Sequence, residues 1–452
     1  MSDALLSYAE AAAFVAKRAA QLARSKPATE RVKLPAAAGR VLAETLRADT
    51  DQPPFPRSTR DGYACRAAEI STHSPLAVVG TTRAGDPPSG PLPRGAVWEI
   101  MTGAPIPRGA DAVVMLEHVE SANLNIPSST QHRTPGAPHL DSEMWESAHI
   151  KSAGSPTIRL LPPRTIKKGE NIVARGAQAR KGDALLPAGT LCSAAQIALA
   201  ASCGATNLNV YARPRVAILS TGDELVPIAA KPRPGQIRNS SSAMLAAMVT
   251  AAGGAPWIMP IARDTARSLN AALARAAAAD LLLITGGVSA GKFDLVEPAL
   301  ARLGARFHFT GIRIQPGKPL VFAELRRTGT GPHQNRSRTQ RCYVYGLPGN
   351  PVSSAVTFQL FAAPILAALA GRNAHGPRFA LARLAADVKT KPGLTRFLPA
   401  ACTFLKSAPE VALVHWQGSG DLAAMARANC YLVVPDNCDH LKAGATVTIL
   451  LA

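Results

Sequence analysis

Between Arg215 and Arg372 the chain alternates short, almost wholly apolar runs with helix-length segments, and this alternation limits the possible folds more than any other feature. Recurring strand-length runs separated by helical patterns read as a parallel sheet whose helices are the crossovers. Val216 to Thr221, Ala255 to Ala262, Leu281 to Thr285, Ala305 to Ile314, Leu320 to Leu325 and Cys342 to Tyr345 are the expected strands. Asn239 to Ala252, with a Ser/Asn cap and a Gly253-Gly254 stop, Asp264 to Ala279 and Asp294 to Leu303 are the expected helices.

In open α/β sheets ligands bind beyond the carboxyl ends of the strands, so the loops that follow them are where chemistry is expected. Those loops are Ser220-Thr-Gly-Asp-Glu224, Arg263-Asp264, Thr285-Gly-Gly-Val-Ser-Ala-Gly-Lys-Phe-Asp294, Gln315-Pro-Gly-Lys-Pro319 and Leu347-Pro-Gly-Asn-Pro351. Each Gly-Pro turn taken alone is ordinary turn chemistry. Together at one sheet edge they gather backbone N–H groups, hydroxyls, a lysine and carboxylates, a set suited to holding phosphate with a cation beside it. Gly286 to Lys292 matches the first seven positions of a P-loop, but Phe293 stands where that motif needs a hydroxyl for magnesium, so a P-loop nucleotidase is not expected. No dinucleotide fingerprint or H-E-x-x-H zinc motif occurs in the sequence. His308, on an apolar strand, reads as a core residue.

The rest of the chain is organised differently. Residues 1 to about 50 read as helix followed by loop, and Asp51-Gln-Pro-Pro-Phe-Pro56 stops regular structure. The runs LAVVG, AVWEIM and DAVVML between Ala77 and Glu117 suggest a small β-rich domain, and the Ser-, Pro- and His-rich stretch 119–160 reads as a flexible insertion with solvated histidines His132 and His139. Residues 326–341 read as an exposed basic loop, and strand-like runs after Pro377 suggest a second small β domain. The 452 residues give a prior of about three domains. Fifty Lys and Arg against 30 Asp and Glu, a formal +20, favour anionic partners, but no aromatics interleave with the basic loop, so nucleic acid is not expected. Seven scattered cysteines without a C-x-x-C pair, and no readable secretion signal, favour reduced thiols and a cytoplasmic location. Val352 to Ala370 is broken by Ser353, Ser354, Thr357 and Gln359 and reads as a buried helix rather than a membrane span.

Motifs outside the α/β region complete a pattern. Ser58-Thr-Arg-Asp-Gly-Tyr-Ala64, Met101-Thr-Gly-Ala-Pro105, Gly169-Glu-Asn171, Thr221-Gly-Asp-Glu-Leu225, Gly286-Gly-Val-Ser289 with Asp294, Pro316-Gly-Lys-Pro319, Gly346-Leu-Pro-Gly-Asn-Pro-Val-Ser353 and Gly418-Ser-Gly420 occur in this order along nearly the whole chain. In this series the sequence resembles the molybdopterin molybdenumtransferases, bacterial relatives of the gephyrin E domain. The resemblance implies a multidomain α/β plus β protein. Its parts would be an elongated dimerisation domain (1–52 and 163–205), a β-rich domain (53–162), a molybdopterin-binding-like α/β domain with a mostly parallel sheet (206–372) and a C-terminal β domain (373–452). It further implies insertion of molybdate into adenylylated molybdopterin with release of AMP, assisted by Mg2+, in a homodimer whose active site lies between subunits. An upstream adenylyltransferase and apo-molybdoenzymes would be its partners, with no nucleic acid and no membrane.

Carried onto this sequence, the resemblance implies Glu224, Asp264 and Asp294 as cation and pyrophosphate residues, Lys318 at phosphate or molybdate, and Asp61 and Thr102 as the facing subunit's contribution. Thr221, Gly222, Asp223, Gly286, Gly287, Ser289, Pro316, Gly317, Pro348, Gly349, Asn350 and Ser353 are the expected substrate contacts. Two positions depart from the pattern. Gln315 stands where many relatives carry Lys, and Ala177-Gln178 follow Arg175-Gly176 where relatives tend to be acidic, leaving tungstate or a paralogue of reduced activity open. The rival readings are a molybdopterin adenylyltransferase, suggested by the α/β domain alone, and a scaffold or interaction protein.

Overall fold

The computed structural model describes residues 5–122, 156–287, 295–326, 341–372, 376–404 and 408–452. They form two compact units, Leu46–Leu185 and the remainder, Met1–Thr45 with Leu186–Ala452.

In the larger unit a six-stranded sheet runs in the order Ala255–Ile258, Arg215–Ser220, Leu281–Thr285, Arg341–Leu347, Val321–Arg326, Arg306–Thr310. The first four strands are parallel, and the last two pair antiparallel. Strands covered on both faces have no side left for polar residues, which is why Leu281–Thr285 is buried throughout. Alternation then divides its neighbour. Val216 and Ile218 enter one core with Leu245, Val249, Val352 and the N-terminal helix residues Ala11, Val15 and Ala19. Ala217 and Leu219 enter the other with Leu269, Leu273, Ala299 and Leu300. The helices are Ser240–Ala251, capped by Asn239, Ala266–Ala276, capped by Thr265, and Val296–Arg302. The N-terminal helix Tyr8–Ala23 starts at a capping box in which Ser7 and Glu10 satisfy each other's backbone amides.

Pro351–Leu369 is the one described helix long and apolar enough to cross a membrane, but 89% of it is buried within the protein, the core helix expected from the sequence. Its middle turn, Phe358–Ala362, is wound as a π-helix just ahead of Pro364, which has no amide to return to the preceding turn.

Three expectations are corrected. The run Ala305 to Ile314 is two strands, because Gly311 at φ +87° turns the chain between Arg306–Thr310 and Ile312–Gln315. The second piece leaves the α/β sheet and pairs in parallel with Leu6–Ser7 and with Thr395 and Arg396. It thus joins a seven-stranded sheet completed by Phe379–Leu384, Glu410–Leu413, Cys430–Val434 and Thr446–Leu451, closed by pairing of Thr395–Thr403 with Cys430–Val434. Residues 24–50 are not all loop: Thr29–Lys33 pairs antiparallel with Asn207–Tyr211, an alternation too short to register against the loop around it. The Ala255 strand ends at Ile258, short of Ala262, where Pro260 interrupts.

The smaller unit holds the three short β runs as Leu76–Thr82, Ala96–Ile100 and Ala112–Met115 in a second six-stranded sheet with Gly62–Cys65 between the last two. The two ends of the expected insertion are also strands, Val119–Ala122 pairing with Thr157–Leu160 on that sheet. Residues 123–155, with His132 and His139, and 327–340 lie outside the described residues.

At the end of the α/β sheet where Arg341–Leu347 begins, Glu324 is 1% exposed and takes Arg18 at 2.5 Å, Arg341 at 2.6 Å and His308 at 3.0 Å. His308 is therefore a core residue with an ionic partner, tilted against Phe322. Burial pushes the Glu324 carboxyl up, but the His308 hydrogen bond and the two guanidinium charges outweigh it and hold the group at about 2. A carboxyl depressed from 4.5 contributes stability that is complete above about pH 4.5 and is lost as pH falls toward 2. Glu324→Ala is expected to cost about 3 kcal/mol at neutral pH, the low end for removing one member of a buried ion pair because both arginines can reach water. Urea titrations at pH 7 and pH 3 check this. The wild type should weaken at pH 3, and the variant's deficit should shrink there.

Candidate active site

Two clusters of the expected residues assemble, one in each unit. In the larger unit the carboxyl end of the parallel strands is built over a closed network of hydroxyls. Ser220, the last residue of its strand, donates to Asn239 Oδ1 at 3.2 Å and accepts from Ser242 at 2.9 Å and Thr285 at 2.8 Å, while Asn239 donates to Ser242 at 2.7 Å. All four side chains are buried. In a low-dielectric interior such a network is stable only when every member is satisfied, and here it joins two strand ends to a helix start. The sequence reading missed Asn239, Ser242 and Thr285 as a group, because their partners lie 19 to 65 residues away along the chain.

Above this network three turns touch. The Thr221 amide donates to Thr285 O at 3.0 Å and the Gly222 amide to Ala262 O at 3.3 Å. Gly286, at φ +88°, lies so close that an added Cβ would stand 2.4 Å from Thr221 O, and a Cβ on Gly349 would stand 3.6 Å from the Gly286 Cα. Only glycine permits both the left-handed conformation and this approach at Gly286. Among the described residues no backbone acceptor is found for the amides of Gly286, Gly287, Gly349 and Asn350, whereas those of Thr221 and Gly222 are spent inside the fold. Free N–H groups on tight glycine turns are the donors an anion needs.

The acidic residues fall around this point unevenly. Asp264 Oδ1 accepts from the Thr221 hydroxyl at 2.6 Å, and the Asp264 amide approaches Asp223 Oδ1 at 3.5 Å. Asp223 also faces Arg263 at 3.6 Å, an exposed pair of little energetic weight. The Glu224 carboxylate folds back over Gly222, its oxygens 2.5 and 2.6 Å from where a Gly222 Cβ would be. Ser289 and Asp294 lie outside the described residues. Among the described residues no three His, Cys, Asp or Glu side chains are grouped to hold a metal.

The Gln315–Pro319 turn reaches the same edge by a route the sequence did not suggest. It follows a strand of the other sheet, but the next strand, Val321–Arg326, runs antiparallel to Arg341–Leu347 with Val321 opposite Gly346, which puts the turn beside the Pro348-Gly349 turn. Pro316 and Gly317 are buried scaffold. A Cβ on Gly317 would stand 2.5 Å from the Thr357 methyl, so the turn is pressed onto the core helix while Lys318 remains exposed. Among the described residues no hydrogen bond or ion pair holds the Lys318 ammonium. The Gln315 amide oxygen accepts from Arg396 Nε at 2.9 Å, an arginine with no sequence signal because its strand arrives from 81 residues away. Ser353 is 4% exposed, inside the first turn of the helix, and its carbonyl serves the Thr357 hydroxyl. Asn350 instead reaches out, donating to Ser419 Oγ at 2.7 Å, so the Gly418-Ser-Gly420 turn of the closed sheet joins the site.

In the smaller unit Asp61 and Thr102 meet directly. Asp61 Oδ1 accepts from the Thr102 amide at 2.6 Å. That backbone hydrogen bond, with a second from the Thr102 hydroxyl, holds the Asp61 carboxyl below the ordinary carboxylate range although the group is exposed. The Ser58 and Gly103 backbones exchange hydrogen bonds with each other's turns, and Thr59 donates to Asn171 O at 3.0 Å. The three motifs Ser58–Ala64, Met101–Pro105 and Gly169–Asn171 therefore meet, with Thr59, Arg60, Asp61, Thr102 and Gly169 exposed and Ser58, Gly62, Tyr63, Ala64, Ala104 and Pro105 buried beneath them. In the larger unit a largely apolar cavity of about 860 Å3, lined by residues including Met244, Met248, Phe358 and Tyr431, contains none of the expected site residues.

Comparison with known proteins places these regions. The MoeA N-terminal region (domains I and II) matches residues 6–204, a probable molybdopterin-binding domain matches 217–368, and the MoeA C-terminal region (domain IV) matches 381–452. The molybdopterin molybdenumtransferase of Nostoc sp. is 33% identical over 441 residues, covering 94% of this chain and 89% of the relative. That of Haemophilus influenzae is 30% identical over 426 residues, covering 93% of each. Among solved structures, two of the molybdopterin biosynthesis MoeA protein from Pyrococcus horikoshii align with TM-scores of 0.72 at 25% identity, over 99% of this chain and 100% of that chain, and 0.66 at 28% identity, over 96% and 98%.

Proposed function

The chain belongs to the MoeA family of molybdopterin molybdenumtransferases, and from that premise we propose how its residues divide the work. It is a transferase of molybdenum cofactor biosynthesis that inserts molybdenum into molybdopterin, and its reaction handles a metal. The molybdopterin arrives adenylylated, molybdate is the incoming oxyanion, and AMP leaves. The observation that carries this assignment is the meeting of the Thr221, Gly286 and Gly349 turns at one sheet edge with Asp264 and Lys318 beside them.

The work at such a site is positioning and neutralisation of charge. The free amides of Gly286, Gly287, Gly349 and Asn350 receive anionic oxygens, and Lys318 adds a point charge. The oxygen-only donors of Glu224 and Asp264 suit a hard cation such as Mg2+, which would supply charge neutralisation at the pyrophosphate. Asp61 and Thr102 act from the facing subunit of a homodimer. An adenylyltransferase making the substrate stands upstream, and apo-molybdoenzymes receive the product in the cytoplasm. The match across the flanking regions, beyond the α/β domain, disfavours the adenylyltransferase reading for this chain.

Purified protein incubated with adenylylated molybdopterin, Mg2+ and molybdate is expected to release AMP in a molybdate-dependent manner and to reconstitute an apo-molybdoenzyme. Tight binding without turnover would overturn the transferase and leave a scaffold. A tungstate arm reports the anion preference.

A further inference from the structure

We propose that Thr221 is a positioning residue whose hydroxyl holds the Asp264 carboxylate in the orientation that receives a divalent cation, an inference that rests on the site assignment above. Asp264 lies on an exposed loop, and among the described residues the Thr221 hydroxyl is the only side-chain partner of its carboxylate, at 2.6 Å from Oδ1. An exposed aspartate without that bond samples several rotamers, and a cation would have to select one of them.

Thr221 is built to supply the bond. It is 5% exposed, and its amide is fixed by Thr285 O. Its carbonyl lies close over Gly286, where an added Cβ would stand 2.4 Å from the oxygen, and its methyl faces the Gly286-Gly287 turn, where added Cβ atoms would stand 3.6 and 3.2 Å from it. A buried β-branched side chain has few allowed χ1 rotamers, and the hydrogen bond to Asp264 holds the hydroxyl in one of them. The preceding Ser220 is anchored by three side-chain hydrogen bonds, which transmits the rigidity of the sheet to Thr221. Burial and a committed donor also remove Thr221 from the substrate contacts: the group faces Asp264. Partners that orient a metal-binding carboxylate without touching the metal are worth roughly 10- to 100-fold in affinity.

The test is Mn2+ binding by electron paramagnetic resonance with ADP present as the diphosphate, on the full chain, with wild type, Thr221→Val, Thr221→Ser and Asp264→Ala. Valine keeps the methyl packing and loses the donor; serine keeps the donor. Thr221→Val is expected to weaken Mn2+ binding by about tenfold and raise the Mg2+ requirement for AMP release equally, leaving the KM for adenylylated molybdopterin unchanged at saturating Mg2+. Thr221→Ser should stay within about threefold of wild type. Unchanged Mn2+ affinity in Thr221→Val, or a raised KM without a change in Mn2+ affinity, would overturn the positioning role. If wild type releases AMP with molybdate yet Thr221→Val behaves like it, this inference alone fails; if wild type neither binds Mn2+ nor turns over, the site assignment beneath it fails.

Discussion

Replacing Asp264 by alanine is expected to lower molybdate-dependent AMP release by about 10²–10³-fold, the usual result of removing one preorganised electrostatic contributor from an active site. The fold should be retained, because the side chain is exposed and the loss is one side-chain hydrogen bond to the buried Thr221 hydroxyl, a cost of about 1 kcal/mol. Glu224→Ala should behave similarly, since its carboxylate lies over Gly222 without a hydrogen-bond partner among the described residues. Circular dichroism and thermal melting separate loss of chemistry from loss of structure. Turnover within about threefold of wild type in both variants would withdraw these carboxylates from the reaction. On the proposed assignment Asp264→Ala removes a ligand of the cation whereas Thr221→Val only loosens it, so the first effect should exceed the second by an order of magnitude or more.

Gly62→Ala should give the largest loss of stability of any single methyl addition in the smaller unit. Gly62 opens a strand that pairs with Ile100 on one side and Met115 on the other, and an added Cβ would stand 1.9 Å from Val114 O and 2.8 Å from Val114 C. Those are backbone atoms of a paired strand, so no rotamer change relieves the clash and the ladder itself has to separate. The expected cost is more than about 3 kcal/mol, at the upper end for overpacking. Hydrogen exchange reads it directly, as lost protection at Gly62–Cys65 and Ala112–Met115 with protection retained at Leu281–Thr285. Because Asp61 precedes Gly62 and is held by Thr102, the same variant should also disorder the Asp61–Thr102 pair and depress activity.

The α/β sheet was legible because its signal is local. Leu281 to Ile284 announce a doubly covered strand by being apolar without a break, and Asn239 announces a helix start by its cap chemistry. The same logic failed at Ala305 to Ile314, where one apolar run serves two sheets. Gly311 turns it and Thr395–Arg396 claims its second half, and a pairing partner some 80 residues distant leaves no trace in local periodicity. At the site the motifs identified the turns but not the division of labour within them. Thr221, Gly222, Pro316, Gly317 and Ser353 carry the family pattern, yet the fold spends them on holding the turns together. Ser419 and Arg396 reach the site from the closed sheet.

By itself, the sequence determined the class of fold, the order of its motifs and, through them, the family, because apolar period, cap residues and glycine turns are properties of neighbouring residues. Only the tertiary structure decided which of those residues stand exposed at the sheet edge and which are buried and brace the ones that do. Exposure and hydrogen-bond partnership are set by segments that meet from far apart: Thr221 and Asp264 are 43 residues apart and become hydrogen-bond partners at 2.6 Å, a distance no spacing in the sequence encodes.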